Sequence, residues 1–193
     1  MSLASSLPPR AGLLATVNTG HHRGALNGFM FVVLAHWAEH LVQAYQIWVL
    51  GWTRPEARGV LGVWFPWLVS SEWMHYGYAL IMIIGLFLLR PGFVGRARTW
   101  WTIALAIQFW HHIEHLLLLL QAQTGTYLFG KSVPTSVLQL VYARVELHLV
   151  YNSIVFIPMV IAMYLHLRPN RKELQDSSCS CAGRPRTLAA ASR

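Results

Sequence analysis

The chain is short of charge, and above all of acid. Asp and Glu number seven in 193 residues and Lys and Arg fifteen, so charged residues make up 11%, where a soluble domain carries roughly 25%. So few polar side chains cannot cover a 21.9 kDa globule in water, which excludes an ordinary soluble domain. Cysteine is almost absent. Only Cys179 and Cys181 occur, both in a polar tail expected to be inert, so no disulfide framework is implied. The formal charge of +8 invites a nucleic-acid partner. The basic residues fall between apolar runs rather than along one stripe, however, so none is expected. Residues 1–26 also lack an apolar run long enough for a secretory signal.

Apolar sequence is abundant, at 55% of the chain. It concentrates in four segments, about residues 27–51, 60–89, 99–123 and 134–167. Each can cross a hydrocarbon core of ~30 Å at ~1.5 Å per residue. The sequence therefore predicts an all-α integral membrane protein, a four-helix transmembrane bundle. Residues 1–26 form an N-terminal cytoplasmic segment, 27–167 the four-span domain and 168–193 a flexible basic tail. Pro134 suits the first turn of the fourth helix, and Pro158 is expected to kink it. Pro66 divides the second segment into an interfacial piece and the helix proper.

One side of this topology collects Arg10, Arg23, Arg90, Arg96, Arg98, Arg168 and the basic tail, whereas the other has only Arg54, Arg58 and Lys131. The positive-inside rule then makes both termini cytoplasmic in a multi-pass protein of the cell membrane, with the lipid bilayer as its first partner. Trp100 and Trp101 are expected at the inner interface, and His21, His22 and His166 at the solvated membrane edge.

Each span carries ionisable residues near its middle. The first has His36-x-x-Glu39-His40, the second Glu72-x-x-His75, the third His111-His112-x-Glu114-His115 and the fourth Glu146-x-His148. A carboxylate at the bilayer centre costs about 2.5–3.5 kcal/mol even on the lenient insertion scale, so these groups must face the bundle interior. Helical rise brings all four sets to the middle-to-outer part of the membrane. His36, Glu39 and His40 share one helical face, as do His111, Glu114 and His115. Glu146 and His148 point almost opposite ways on an ideal helix. The five-residue motif recurs after 75 residues, and His75-x-x-Tyr78 recurs as His148-x-x-Tyr151 after 73. Spans 1–2 and 3–4 thus read as two parallel helix-hairpin repeats around an axis along the membrane normal.

Imidazole and carboxylate together are ligands for iron, zinc, manganese and, with more histidine, copper. Glu72-x-x-His75 is similar to the Glu-x-x-His of soluble di-metal bundles. His36/His40 (HxxxH) and His111-His112-x-x-His115 (a reversed HxxHH) resemble the boxes of integral-membrane di-iron enzymes, the alkane hydroxylases and lipid desaturases. Those enzymes hold their boxes near the cytosolic surface rather than at this depth. The resemblance implies two non-haem ions, iron first, with copper or zinc as alternatives. It also implies oxygen-dependent oxidation of a small apolar or lipid-like substrate, with electrons from an external donor. Bis-histidine ligation of haem b in an electron-transfer protein is a second possibility, and divalent cation or proton transport a third.

Overall fold

A computed structural model describes residues 12–179 and 181, and among these all regular structure is helical. Four helices are long and apolar enough to cross a membrane. They are α2 (His22–Trp48), α5 (Glu72–Leu89), α6 (Gly95–Thr124) and α7 (Arg144–Leu167). Four short helices accompany them: α1 (Leu13–Asn18), α3 (Leu61–Trp64), α4 (Trp67–Ser70) and α8 (Arg171–Asp176). Helix α6 packs along both α5 and α7, and α2 closes the bundle against α7 and α5.

Pro66 divides the second apolar segment as expected. It precedes α4, and extended backbone at Ser71 separates α4 from the membrane helix α5. The fourth segment differs from expectation, because its helix starts at Arg144 rather than Pro134. Residues 134–143 instead form a loop at the end of the bundle where Arg54 meets Glu146, termed the outer end, and its amides have other acceptors. Thr135 N–H donates to Gln121 Oε1 and Leu138 N–H to Glu114 Oε1, both on α6. Backbone groups spoken for in this way cannot join an α-helical ladder. Beyond Arg144, α7 runs through Pro158 as one helix.

The opposite half of the bundle, termed the inner half, is a packed apolar core. Leu86, Phe93, Trp101, Ala104, Met159 and Ala162 are all fully buried there. Trp101 is thus a core residue rather than an interfacial one, and its indole N–H donates to the Leu86 carbonyl at 2.8 Å. A buried indole needs such an acceptor, and here the bond ties α6 to α5. Large apolar side chains such as Phe31, Trp73 and Phe87 stay exposed, as helices facing lipid require.

The start of the tail is also built into the fold. Asn170 and Glu173 form a capping box at the start of α8, and Glu173 pairs with Arg96 at 2.9 Å. Gly95, at φ +50°, lets this carboxylate approach, because a Cβ there would collide with it.

Candidate metal centre

Six imidazoles from four helices converge in the outer half of the bundle. On α2, His36 and His40 lie one turn apart with their Nε2 atoms 3.1 Å from each other. On α6, His111 and His115 repeat that arrangement at 3.2 Å. His75 stands in the first turn of α5, and His148 in the second turn of α7. The His148 ring lies 5.0 Å from His40, 5.3 Å from His115, 5.8 Å from His111 and 5.9 Å from His75. His111, His115 and His148 each offer a ring nitrogen within 4.8 Å of the others, a group that could hold a metal ion.

Hydrogen bonds at the back of three rings set their direction. His75 Nδ1 bonds the Ser71 carbonyl at 2.9 Å, His148 Nδ1 the Arg144 carbonyl at 2.7 Å and His40 Nδ1 the Gln43 Oε1 at 2.7 Å. An oxygen acceptor at Nδ1 fixes the proton there and leaves the lone pair on Nε2, which in His40 faces His36 Nε2. Metal-binding histidines are held in this way. His148 Nε2 is buried and has no hydrogen-bond partner among the described residues. A bare lone pair in that position favours a cation.

The four intramembrane glutamates are turned to other partners. Glu39 accepts the Val60 and Leu61 amides at 2.7 and 3.0 Å, holding the first outer loop. Glu114 accepts the Leu138 amide of the second outer loop. Glu72 takes both ends of the Arg144 guanidinium, at 2.6 and 2.7 Å. Glu146 pairs through Oε1 with Arg54 of the first outer loop, while its Oε2 is buried with no hydrogen-bond partner among the described residues. His112 lies outside the imidazole cluster, with its ring against Tyr76 at 5.2 Å.

The contacts come in matched sets. Tyr78 stacks on His36 at 3.5 Å, and Tyr151 on His111 at 4.1 Å. Gln46 both donates to and accepts from the Gly59 backbone, and Gln121 does the same with Thr135. Glu39 and Glu114 each receive amides of the outer loop that follows their helix. The rings of His75 and His148 each bond a carbonyl four residues upstream. Sequence reasoning did not single out Gln46, Gln121 or the tyrosine stacking. The signal was present, since Gln46 and Gln121 differ by the same 75 residues as the histidine motifs.

A cavity of about 540 Å³ leads from the outer loops to the cluster. Its walls include His40, His75 and His148 together with Arg54, Arg58 and Arg144. At the other end of the cluster, among the described residues, a buried apolar core packs the bundle.

A second group departs from expectation. His22 and His166 are buried, not solvated, and their rings face Cys179 and Cys181. These four side chains also form a group that could hold a metal ion. No family model, curated protein or solved structure matches the chain.

Proposed function

We propose that the chain is a membrane metalloprotein whose six imidazoles hold a dinuclear non-haem centre serving an oxidoreductase. The observation that carries this proposal is the set of three back-bonded rings, His40, His75 and His148, aimed into one buried cluster. The matched contacts support two helix-hairpin repeats related by a pseudo-twofold axis. One ion then takes His111, His115 and His148, and the corresponding set in the other half is His36, His40 and His75.

The donor set favours copper over the iron that the His/Glu motif suggests. With each glutamate bonded to an amide or an arginine, the donors of the cluster are imidazoles. Two Fe(II) ions would bring a charge of +4 into a buried site without an anionic ligand, whereas two Cu(I) ions bring half as much. Uncompensated buried charge is expensive, and imidazole suits copper well. A redox-active ion held there supplies one-electron steps and reactivity with dioxygen. The protein's own groups hold the rings in place, and Arg58 offers a positive charge at the wall of the cavity that reaches them. The arginine-bearing wall suits a small substrate with a polar or anionic group better than a purely apolar lipid. Electrons come from an external partner, and the basic flanks favour cytoplasmic termini in the cell membrane.

Transport is less well supported, because Leu86, Trp101 and Met159 fill the inner half of any path. Haem is also less well supported. The rings are spaced 4.5–6.0 Å apart in one cluster, with no slot between facing pairs for a macrocycle. Protein purified in mild detergent should contain two metal ions per chain and no porphyrin, and should consume oxygen when given a reductant. A metal-free protein with wild-type stability, or one with a haem spectrum, would overturn the proposal.

A further inference from the structure

At the opposite end of the bundle from the six-imidazole cluster, His22 begins α2 and His166 lies in the last turn of α7. The sulfurs of Cys179 and Cys181 meet them there. We propose that this is a second, separate metal site, which binds one zinc-class divalent ion when the cysteines are reduced and clamps the tail to the bundle.

The geometry is that of a four-donor pocket. His22 Nδ1 lies 3.1 Å from Cys179 Sγ and 3.3 Å from Cys181 Sγ, and His166 Nε2 lies 2.9 Å from Cys181 Sγ. All four donor atoms fall within 4.8 Å of one another. Tetrahedral zinc with bonds of about 2.0 Å to nitrogen and 2.3 Å to sulfur sets N···S separations of about 3.5 Å, so these need only small shifts. The two sulfurs, bonded to each other in the structure, must part to about 3.8 Å on reduction. The Cα atoms of the two cysteines are 5.4 Å apart, close enough for both thiolates to reach one ion.

The surroundings prepare the donors. His22 Nε2 bonds the Leu89 carbonyl at 3.2 Å, which places its proton there and turns the Nδ1 lone pair toward the sulfurs. The Cys181 amide donates to Cys179 Sγ at 3.2 Å, a bond that favours a thiolate. Gly92 leaves room for the His22 ring, since a Cβ there would overlap it. Both imidazoles are buried, at 0% and 3% exposure, so their ring nitrogens need partners within the protein.

A disulfide alone accounts for little of this. The two cysteines are joined in the structure, but a link across one residue constrains almost none of the chain. It also leaves the convergence of two imidazole nitrogens on both sulfurs unexplained. A metal ion instead fastens α2, α7 and the tail together. A dithiol reductant, itself oxidised to a disulfide, supplies two electrons and two protons to give two thiols. Zinc binding then releases both protons as the thiolates form. The basic residues at this end, Arg90 and Arg96 among them, favour the cytoplasmic side, where thiols stay reduced.

The full chain, reduced and stripped with a chelator in detergent, is titrated with Co(II) alone. The proposal expects intense tetrahedral bands with thiolate charge transfer that saturate at one thiolate-bound cobalt per chain, beyond any cobalt the outer cluster takes up. Zn(II) should displace the cobalt and slow alkylation of both cysteines at least tenfold. Cys179→Ser and Cys181→Ser should each abolish the thiolate band and retain helix content. His36→Ala with His115→Ala should leave the band intact, which separates this site from the outer cluster. Wild-type protein with two free thiols but no thiolate–cobalt band overturns the proposal. So does alkylation at the same rate with and without Zn(II).

Discussion

Arg144 grips Glu72 through two parallel hydrogen bonds of 2.6 and 2.7 Å, joining the outer ends of α7 and α5. His148 follows Arg144 by four residues and His75 follows Glu72 by three, so this one pair sets the register of two cluster imidazoles. The Arg144 carbonyl also accepts from the His148 ring. Glu72→Gln should therefore loosen the cluster as well as the fold, lowering stability by about 1–3 kcal/mol through loss of charge-assisted hydrogen bonds. Thermal melts of apo and metal-loaded protein check this. The variant should also lose metal to a chelator faster than wild type.

The glutamates and histidines separate cleanly by substitution. Glu39→Gln should retain the bound metal and destabilise the first outer loop by about 1–3 kcal/mol, because the Val60 and Leu61 amides lose a charged acceptor. His40→Ala should lower metal content with a smaller effect on the apoprotein. Metal analysis of both variants, normalised to folded protein, distinguishes a carboxylate brace from an imidazole ligand.

Gln46 and Gln121 should behave as equivalents. Each satisfies both the donor and the acceptor of one loop residue, Gly59 or Thr135. Leu at either position leaves those backbone groups unpaired, at about 1–3 kcal/mol apiece where they remain buried. Hydrogen exchange should show faster opening of residues 53–61 in one variant and of 126–138 in the other. The cluster helices themselves should stay protected.

The four spans were legible because a membrane helix must be long and apolar, and the convergence of the motifs because charge is expensive in lipid. The histidines at 36, 40, 111 and 115 stood out because an i, i+4 spacing keeps two rings on one face. The partners of the glutamates were hidden. Glu39 bonds amides 21 and 22 residues away, and the partner of Glu72 lies 72 residues away on another helix. Composition also concealed the tail. Serine, alanine and arginine there suggest disorder, while one glutamate and two cysteines supply its anchors to Arg96, His22 and His166. Pro134 misplaced the start of the fourth helix, because side-chain acceptors on α6 compete for the amides that helix would have used.

The tail contact should respond to acid. The Arg96 hydrogen bond holds the Glu173 carboxyl down at about 2, below its ordinary value of 4.5. A depressed folded value means that the stabilisation is fully present above pH 4.5. It fades as the pH falls through the interval down to about 2. Cleavage of the tail by an acid-stable protease should therefore accelerate across that window. Glu173→Gln should be cut quickly at every pH and should flatten the profile.

X-ray absorption at the metal edge of protein purified with its native metal tests the central claim most directly. The account predicts two ions per chain with a first shell dominated by imidazole nitrogen, and loss of that signal in His40→Ala with His148→Ala. A first shell of carboxylate oxygen, a porphyrin signature, or a wild-type signal in that double variant would contradict it.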